Sequence, residues 1–165
     1  MADGQVAGQW PGNGDALVTG GSCRYRLYAT QDGRFLAAAP LEQKFWQAFV
    51  AAIELPENLH NDSIDPAATQ AAIEQIIVTK PASHWQDVFE IADCCCSIVK
   101  TVQDAMQDAH FKARGVFAQQ LASKGGATIS ALPTPIVQAF TDDGETGKTA
   151  PELGADNELL KDAEN

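Results

Sequence analysis

Residues 24–39 read Arg24-Tyr25-Arg26-Leu27-Tyr28-Ala29-Thr30-Gln31-Asp32-Gly33-Arg34-Phe35-Leu36-Ala37-Ala38-Ala39. The first part alternates, with Tyr25, Leu27 and Ala29 on one face of an extended chain and Arg24, Arg26 and Tyr28 on the other. Residues 35–39 form a second apolar run. Asp32-Gly33 between them suits the two positive-φ positions of a type I′ turn, so the stretch predicts a β-hairpin.

Helical patterns follow the hairpin. Leu41, Phe45, Trp46, Phe49, Ala52 and Ile53 share one wide apolar face, and Pro56 ends that helix. Asp65-Pro66 is an N-cap followed by an N1 proline, opening a helix with Ala72, Ile73, Ile76 and Ile77 inward. Pro81 or Ser83 starts another helix, carrying Trp85, Val88, Phe89 and Ala92. Residues 94–99 read as a short apolar strand. Thr101 caps a helix running to about Lys112, closed by Arg114-Gly115. Residues 116–121 and 127–132 flank Lys124-Gly125-Gly126 as a second hairpin. Antiparallel strands with segregated helices make an α+β fold, not repeated βαβ units.

The two ends differ from this body. Residues 1–16 are glycine-rich and read as a linker, with loop character continuing to residue 22. Residues 141–165 hold eight acids against two lysines and no aromatic residue, so they read as an acidic, mobile tail. The domain proper is therefore expected over residues 17–140.

A chain of 165 residues with 45% hydrophobic content supports one ordinary domain. Its net charge of -11 repels phosphate backbones and anionic lipid, so neither a nucleic-acid nor a membrane-surface role is expected. No apolar run approaches the ~18 residues of a bilayer span. The first residues lack a basic segment and an apolar segment, so no secretory signal is read and a cytoplasmic location is expected.

Few residues announce chemistry. Thr19-Gly20-Gly21-Ser22 enters a strand rather than a helix, so the phosphate-loop and dinucleotide readings fail. It is either a flexible approach to the hairpin or a loop that closes over a ligand. Glu42 stands in the first turn of its helix. It either serves the helix dipole or aims a carboxylate into a cleft, where it orients a histidine or relays a proton. Cys94-Cys95-Cys96 lacks the spacing of a zinc site and is a poor disulfide framework. Small residues in a buried, reduced strand compete with a reactive thiol. His60, His84 and His110 match no metal motif and read as structural. No metal is expected.

Longer motifs carry a resemblance. The segment from Leu17 to Trp46, including Leu41-Glu42-Gln43-Lys44-Phe45-Trp46, looks like the start of the small domain of family III CoA-transferases. This CaiB/BaiF family includes α-methylacyl-CoA racemases. Trp85-Gln86-Asp87-Val88-Phe89 resembles its W-x-x-x-F helix, and Asp93-Cys94-Cys95-Cys96-Ser97-Ile98-Val99 its D-x-C-x-x-P-V strand. His110-Phe111-Lys112-Ala113-Arg114-Gly115-Val116-Phe117 resembles its H-x-x-x-R-G-x-F segment. Roughly residues 15–140 are covered.

The resemblance implies a small α+β domain whose family partner is a large CoA-carrying domain in the N-terminal half, which nothing here resembles. It implies acyl-CoA thioesters as substrates of the complete enzyme, no tightly bound cofactor, and a homodimer or an N-terminal subunit as partner. By this reading the chain is inactive alone. Glu42 matches the glutamate that supports a catalytic histidine in racemases, Gly20 and Gly21 match the glycine-rich loop over the substrate, and Cys95 matches the family's cysteine. Ile98 and Gln43 stand where proline is usual, which leaves racemase and transferase open, the Glu42 segment leaning to racemase. The rival reading is a non-enzymatic interaction module that docks a separate domain.

Overall fold

A computed structural model describes residues 2–8, 10–132, 136 and 148–158. Backbone packing divides them into two units, one ending at Val99 and one starting at Lys100.

The first unit is built on the expected hairpin. Strands β1 (Arg26–Ala29) and β2 (Phe35–Ala38) pair antiparallel, and β3 (Cys96–Ile98) adds antiparallel to β2. The register sets Tyr28 beside Leu36 and Leu36 beside Ile98. Side chains alternate across a sheet, so this row fixes the inner face. Tyr28 and Leu36 are fully buried, while Leu27 is 57% exposed and Phe35 46% exposed. The buried side of the hairpin is thus the Tyr28 side. Its hydroxyl reaches inward and donates to the Cys23 carbonyl at 2.6 Å, so the ring is buried without an orphaned polar group.

The turn corrects the type I′ expectation. Gly33 takes φ 74, but Asp32 stays at negative φ. Gly33 N–H donates to the Thr30 carbonyl, and Thr30 N–H to the Arg34 carbonyl. That is a three-residue loop, a type I turn followed by a left-handed glycine. Asp32 keeps an ordinary backbone because its side chain is used. Its Oδ1 accepts from the Thr30 hydroxyl at 2.5 Å and from Ala82 N–H at 3.1 Å.

Three helices cover the inner face: α2 (Gln43–Ala52), α3 (Pro66–Ile77) and α4 (Ala82–Ala92). They follow α1 (Ala2–Ala7), a short helix within the stretch expected to be glycine-rich linker. Trp46 and Phe49 from α2 meet Trp85 and Phe89 from α4 in a chain of rings spaced at 5.7–5.8 Å. Ile73 and Ile77 fill the α3 side. Asp65 caps α3 as expected, accepting from Ala68 N–H at 2.9 Å. Helix α4 starts at Ala82, and the hairpin's Asp32 supplies the acceptor at its N-terminus.

Arg24 binds the hairpin's approach to two neighbours. Its Nε and Nη2 donate to the two carboxylate oxygens of Asp62 at 2.9 and 2.6 Å. Its Nη1 donates to the Leu41 carbonyl, and its guanidinium covers the Trp46 ring at 4.6 Å. The hydrogen bonds from Arg24 hold the Asp62 carboxyl below its usual range. Cys23 Sγ lies 3.6 Å from the same carboxylate, and burial with that charge pushes its thiol up to about 11.

The second unit carries α5 (Val102–Gln107) and α6 (Ala109–Ala113) where one helix was expected. The break is at Asp108, which leaves helical geometry at ψ 133 and accepts from His110 and Phe111 N–H. Lys100 pairs with the same carboxylate at 2.6 Å. Strands β4 (Gln119–Ala122) and β5 (Thr128–Ala131) form the second hairpin, β4 running one residue past the expected 116–121 and β5 lying within the expected 127–132. Strand β6 (Lys148–Thr149) pairs parallel to β4, and Glu152 pairs with Lys124 at 3.1 Å. Part of the stretch expected as tail is therefore built into the sheet. Residues 141–147 and 159–165 of that stretch lie outside the described residues.

Removing Asp62 leaves a half-buried guanidinium without its partner. Asp62→Ala is expected to lower unfolding stability by about 2–3 kcal/mol, and pairing it with Arg24→Met to recover part of the loss. Urea titration followed by tryptophan fluorescence measures both. A raised folded pKa stabilises below the unfolded value, and that stability is lost as pH rises through the folded value. The Cys23 contribution therefore falls between pH 9.0 and about 11. Cys23→Ala should flatten that part of the alkaline stability profile.

Candidate functional site

Val18, Thr19 and Gly20 form one wall of a pocket because the glycines at 20 and 21 permit the turn that carries them. Leu17–Gly21 is one wide helical turn, tied by Gly21 N–H to the Ala16 carbonyl at 3.0 Å. Gly20 adopts φ 115, which side-chain-bearing residues rarely take. At Gly21 a Cβ would stand 2.1 Å from the Asp15 carbonyl oxygen. Both positions thus require glycine, for different reasons. Thr19 fastens the same turn, its Oγ1 accepting from Ala16 N–H at 3.0 Å.

The pocket beside this turn holds about 320 Å³. Val18, Thr19 and Gly20 form one side, and Tyr25, Arg26, Leu27 and Ala37–Ala39 the other. Arg26 is its charged group. Its Nη1 donates to the Gly20 carbonyl at 2.6 Å, and its Nε lies 3.6 Å from Glu74. The guanidinium therefore holds the loop against the sheet. Among the described residues no carboxylate, histidine or thiol lines this pocket. The wall can grip an apolar group with a polar end, and among the described residues its lining carries the hydroxyl-bearing Thr19 and Tyr25 but no carboxylate or imidazole to activate them.

Of the four residues singled out from the sequence, Gly20 lines the pocket and Gly21 packs behind it against Asp15. Cys95 reaches the same end of the sheet through its backbone, since its carbonyl accepts Ala39 N–H at 3.0 Å. Its side chain is exposed, against the buried strand expected, and β3 begins only at Cys96. Burial, and then the neighbouring Glu42 charge, raise the Cys95 thiol above its ordinary range. Glu42 and Cys95 are thus electrostatic neighbours. Glu42 stands at the N-cap of α2 rather than inside its first turn, and its exposed carboxylate makes no capping bond.

The histidines divide. His60 Nε2 contacts the Leu55 carbonyl at 2.8 Å, and its own carbonyl accepts from Trp46 Nε1, so it is structural. His84 and His110 are exposed and lie edge-on to Trp85 and Phe111. Among the described residues no cluster of histidine, cysteine or acidic side chains suits a metal. None of the described helices is long and apolar enough to cross a membrane. The sequence reading missed Arg26. Its signal was a cation at the start of an otherwise apolar strand, five residues after a glycine pair.

A profile of the family described as CoA-transferase family III matches residues 1–157. The chain belongs to CoA-transferase family III. Human alpha-methylacyl-CoA racemase is 26% identical over 148 residues, covering 85% of this chain and 38% of the racemase. The mouse alpha-methylacyl-CoA racemase is 26% identical, covering 90% of this chain and 41% of its own length. The chain thus spans about two fifths of the length of these relatives. A CaiB/BaiF family protein from Brucella suis matches in structure with a TM-score of 0.60 at 18% identity, covering 99% of this chain and 43% of that one. A Mycobacterium tuberculosis protein matches at 0.60 and 17% identity, covering 86% and 41%. The mixed fold with small antiparallel sheets therefore recurs in a solved CaiB/BaiF family protein.

The loop's dependence on Gly20 gives a direct test for this family III chain. Gly20→Ala forces an L side chain into the left-handed half of backbone space, at a cost of about 1–2 kcal/mol. Limited proteolysis should accelerate within residues 15–22, while the thermal transition of the aromatic core moves little. Gly33→Ala, at a solvent-exposed turn, should leave the 15–22 cleavage rate unchanged.

Proposed function

We propose that this chain supplies the small-domain part of an enzyme that acts on acyl-CoA thioesters. In this reading residues 17–140 correspond to that domain, and an N-terminal CoA-binding part completes the site, within a longer chain or as a separate subunit. The observation that carries the reading is the pocket beside Gly20. It has binding groups in the family-matched segment, and among the described residues its lining holds no carboxylate, imidazole or thiol. The exposed apolar face of the hairpin, Leu27 and Phe35, supports a covering partner.

The roles follow from position. Gly20 and Gly21 allow the loop to close on the acyl group without side-chain interference. Glu42 presents its carboxylate at the end of α2, where it supports a base delivered by the other part. Cys95 borders the substrate close to Glu42. The racemase relatives favour exchange of the proton α to the thioester carbonyl over CoA transfer.

Deuterium uptake into a 2-methylacyl-CoA in heavy water reads that chemistry. The chain alone should give no uptake above background. Co-expression with the CoA-binding part from its host should give uptake, and Glu42→Gln in that complex should reduce it. Full turnover by the chain alone sinks the claim of incompleteness. A stable complex that neither exchanges the proton nor transfers CoA sinks the proposed activity.

A further inference from the structure

Three thiols stand in a row, and the site described above uses only the middle one. They do not share one environment. Cys94 is buried, Cys95 exposed and Cys96 half-buried. Asp93 ends α4 in left-handed geometry at φ 45, and Cys95 takes φ 59. A strand advances about 3.3 Å per residue, which holds residues two apart close to the outer limit of disulfide reach. The left-handed bend at Cys95 shortens that span. Cys96 Sγ turns back to 3.5 Å from the Cys94 carbonyl oxygen, which brings the side chain of Cys96 towards residue 94. The bend is held in place by Ala39, whose N–H binds the Cys95 carbonyl, and by the pairing of Cys96 with Ala38.

We propose that Cys94 and Cys96 form a dithiol–disulfide pair bridged across Cys95, with a small-molecule disulfide as the oxidant. The half-buried Cys96 makes the first exchange. Its proton is lost to solvent as Cys96 Sγ bonds to one sulfur of the small disulfide. The other sulfur leaves as a thiolate. Cys94 then releases its proton to solvent and attacks Cys96 Sγ, expelling the second thiolate. Two electrons move from the protein pair to the small disulfide, and the departed thiolates take up protons. In the reduced pair Cys94 is held below the ordinary thiol range by its hydrogen bond with Cys96, while Cys96 is held above it. The thiolate favoured in this pair is that of Cys94, the group that closes the bridge in the second step.

The bridge is placed to be felt at the pocket. Ala38 and Ala39, the backbone partners of this segment, both line it. Tightening the 94–96 span pulls on the wall opposite Gly20.

Oxidised glutathione tests the proposal on the full chain. After exposure, the protein is alkylated and digested, and the peptide carrying residues 94–96 is mapped by mass. The expected peptide has lost two hydrogens, carries one alkyl group on Cys95, and regains two alkylation sites after reduction. Cys95→Ser, a change at an exposed thiol, should keep the loss of two hydrogens. In the oxidised protein the Ala39 amide should exchange faster with solvent deuterium. A bridge that disappears in Cys95→Ser, glutathione adducts on Cys95 alone, or no loss of hydrogens would each overturn it.

Discussion

The Arg24 guanidinium is the contact on which the first unit depends. It is planar and presents five donors, and here it engages Asp62 with two of them, the Leu41 carbonyl with a third, and Gln43 with another. Its flat face lies over Trp46. Trp46 in turn donates to the His60 carbonyl at 2.7 Å. One side chain thereby fixes the approach to β1, the start of α2 and the loop at 60–62. Lysine could replace the charge but not the fork or the stacking. The position of Glu42 follows from this arrangement, because Leu41 and Gln43 on either side of it are both held by Arg24.

A second tie runs from the hairpin turn to α4. Asp32 stands in the turn but accepts from Ala82 N–H, and Gln31 N–H donates to the Lys80 carbonyl. The turn is thus pinned at both its backbone and its side chain. The hydroxyl of Thr30 and the helix N–H hold the Asp32 carboxyl below its usual range. This use of Asp32 explains why the loop adopts three residues. A type I′ turn would place Asp32 at positive φ, whereas the type I geometry leaves its carboxylate serving the helix.

What the sequence made legible was set by periodicity. The hairpin, the faces of α2, α3 and α4, and the Asp65 cap all follow from local spacing, and all stand in the structure. Which hairpin face is buried was not local information, since both faces carry apolar mass. It depends on Tyr28 finding the Cys23 carbonyl. The break at Asp108 competes with a good helical pattern and wins because one carboxylate serves two N–H groups and Lys100. The strand at Lys148–Thr149 rests on pairing with β4, far away in the chain, and charge composition alone suggested a tail. At the site, the glycine pair was legible as a loop. Arg26 was not, because its partner is a backbone carbonyl.

The cysteine segment shows how one bend changes what three identical residues can do. In a regular strand Cys94 and Cys96 would face one side and Cys95 the other, with spacing set by the pleat. Positive φ at Cys95 removes that spacing while leaving Cys96–Ile98 free to pair with β2. The cost of a left-handed cysteine is of order 1–2 kcal/mol, so it persists only where surrounding bonds over-determine it. Here those bonds are the Ala39 N–H to Cys95 and the ladder beyond. The same bonds run to the pocket wall. A change of covalent state at 94–96 must either be absorbed within the bend or be transmitted to Ala38 and Ala39, because those two residues pair directly with this segment.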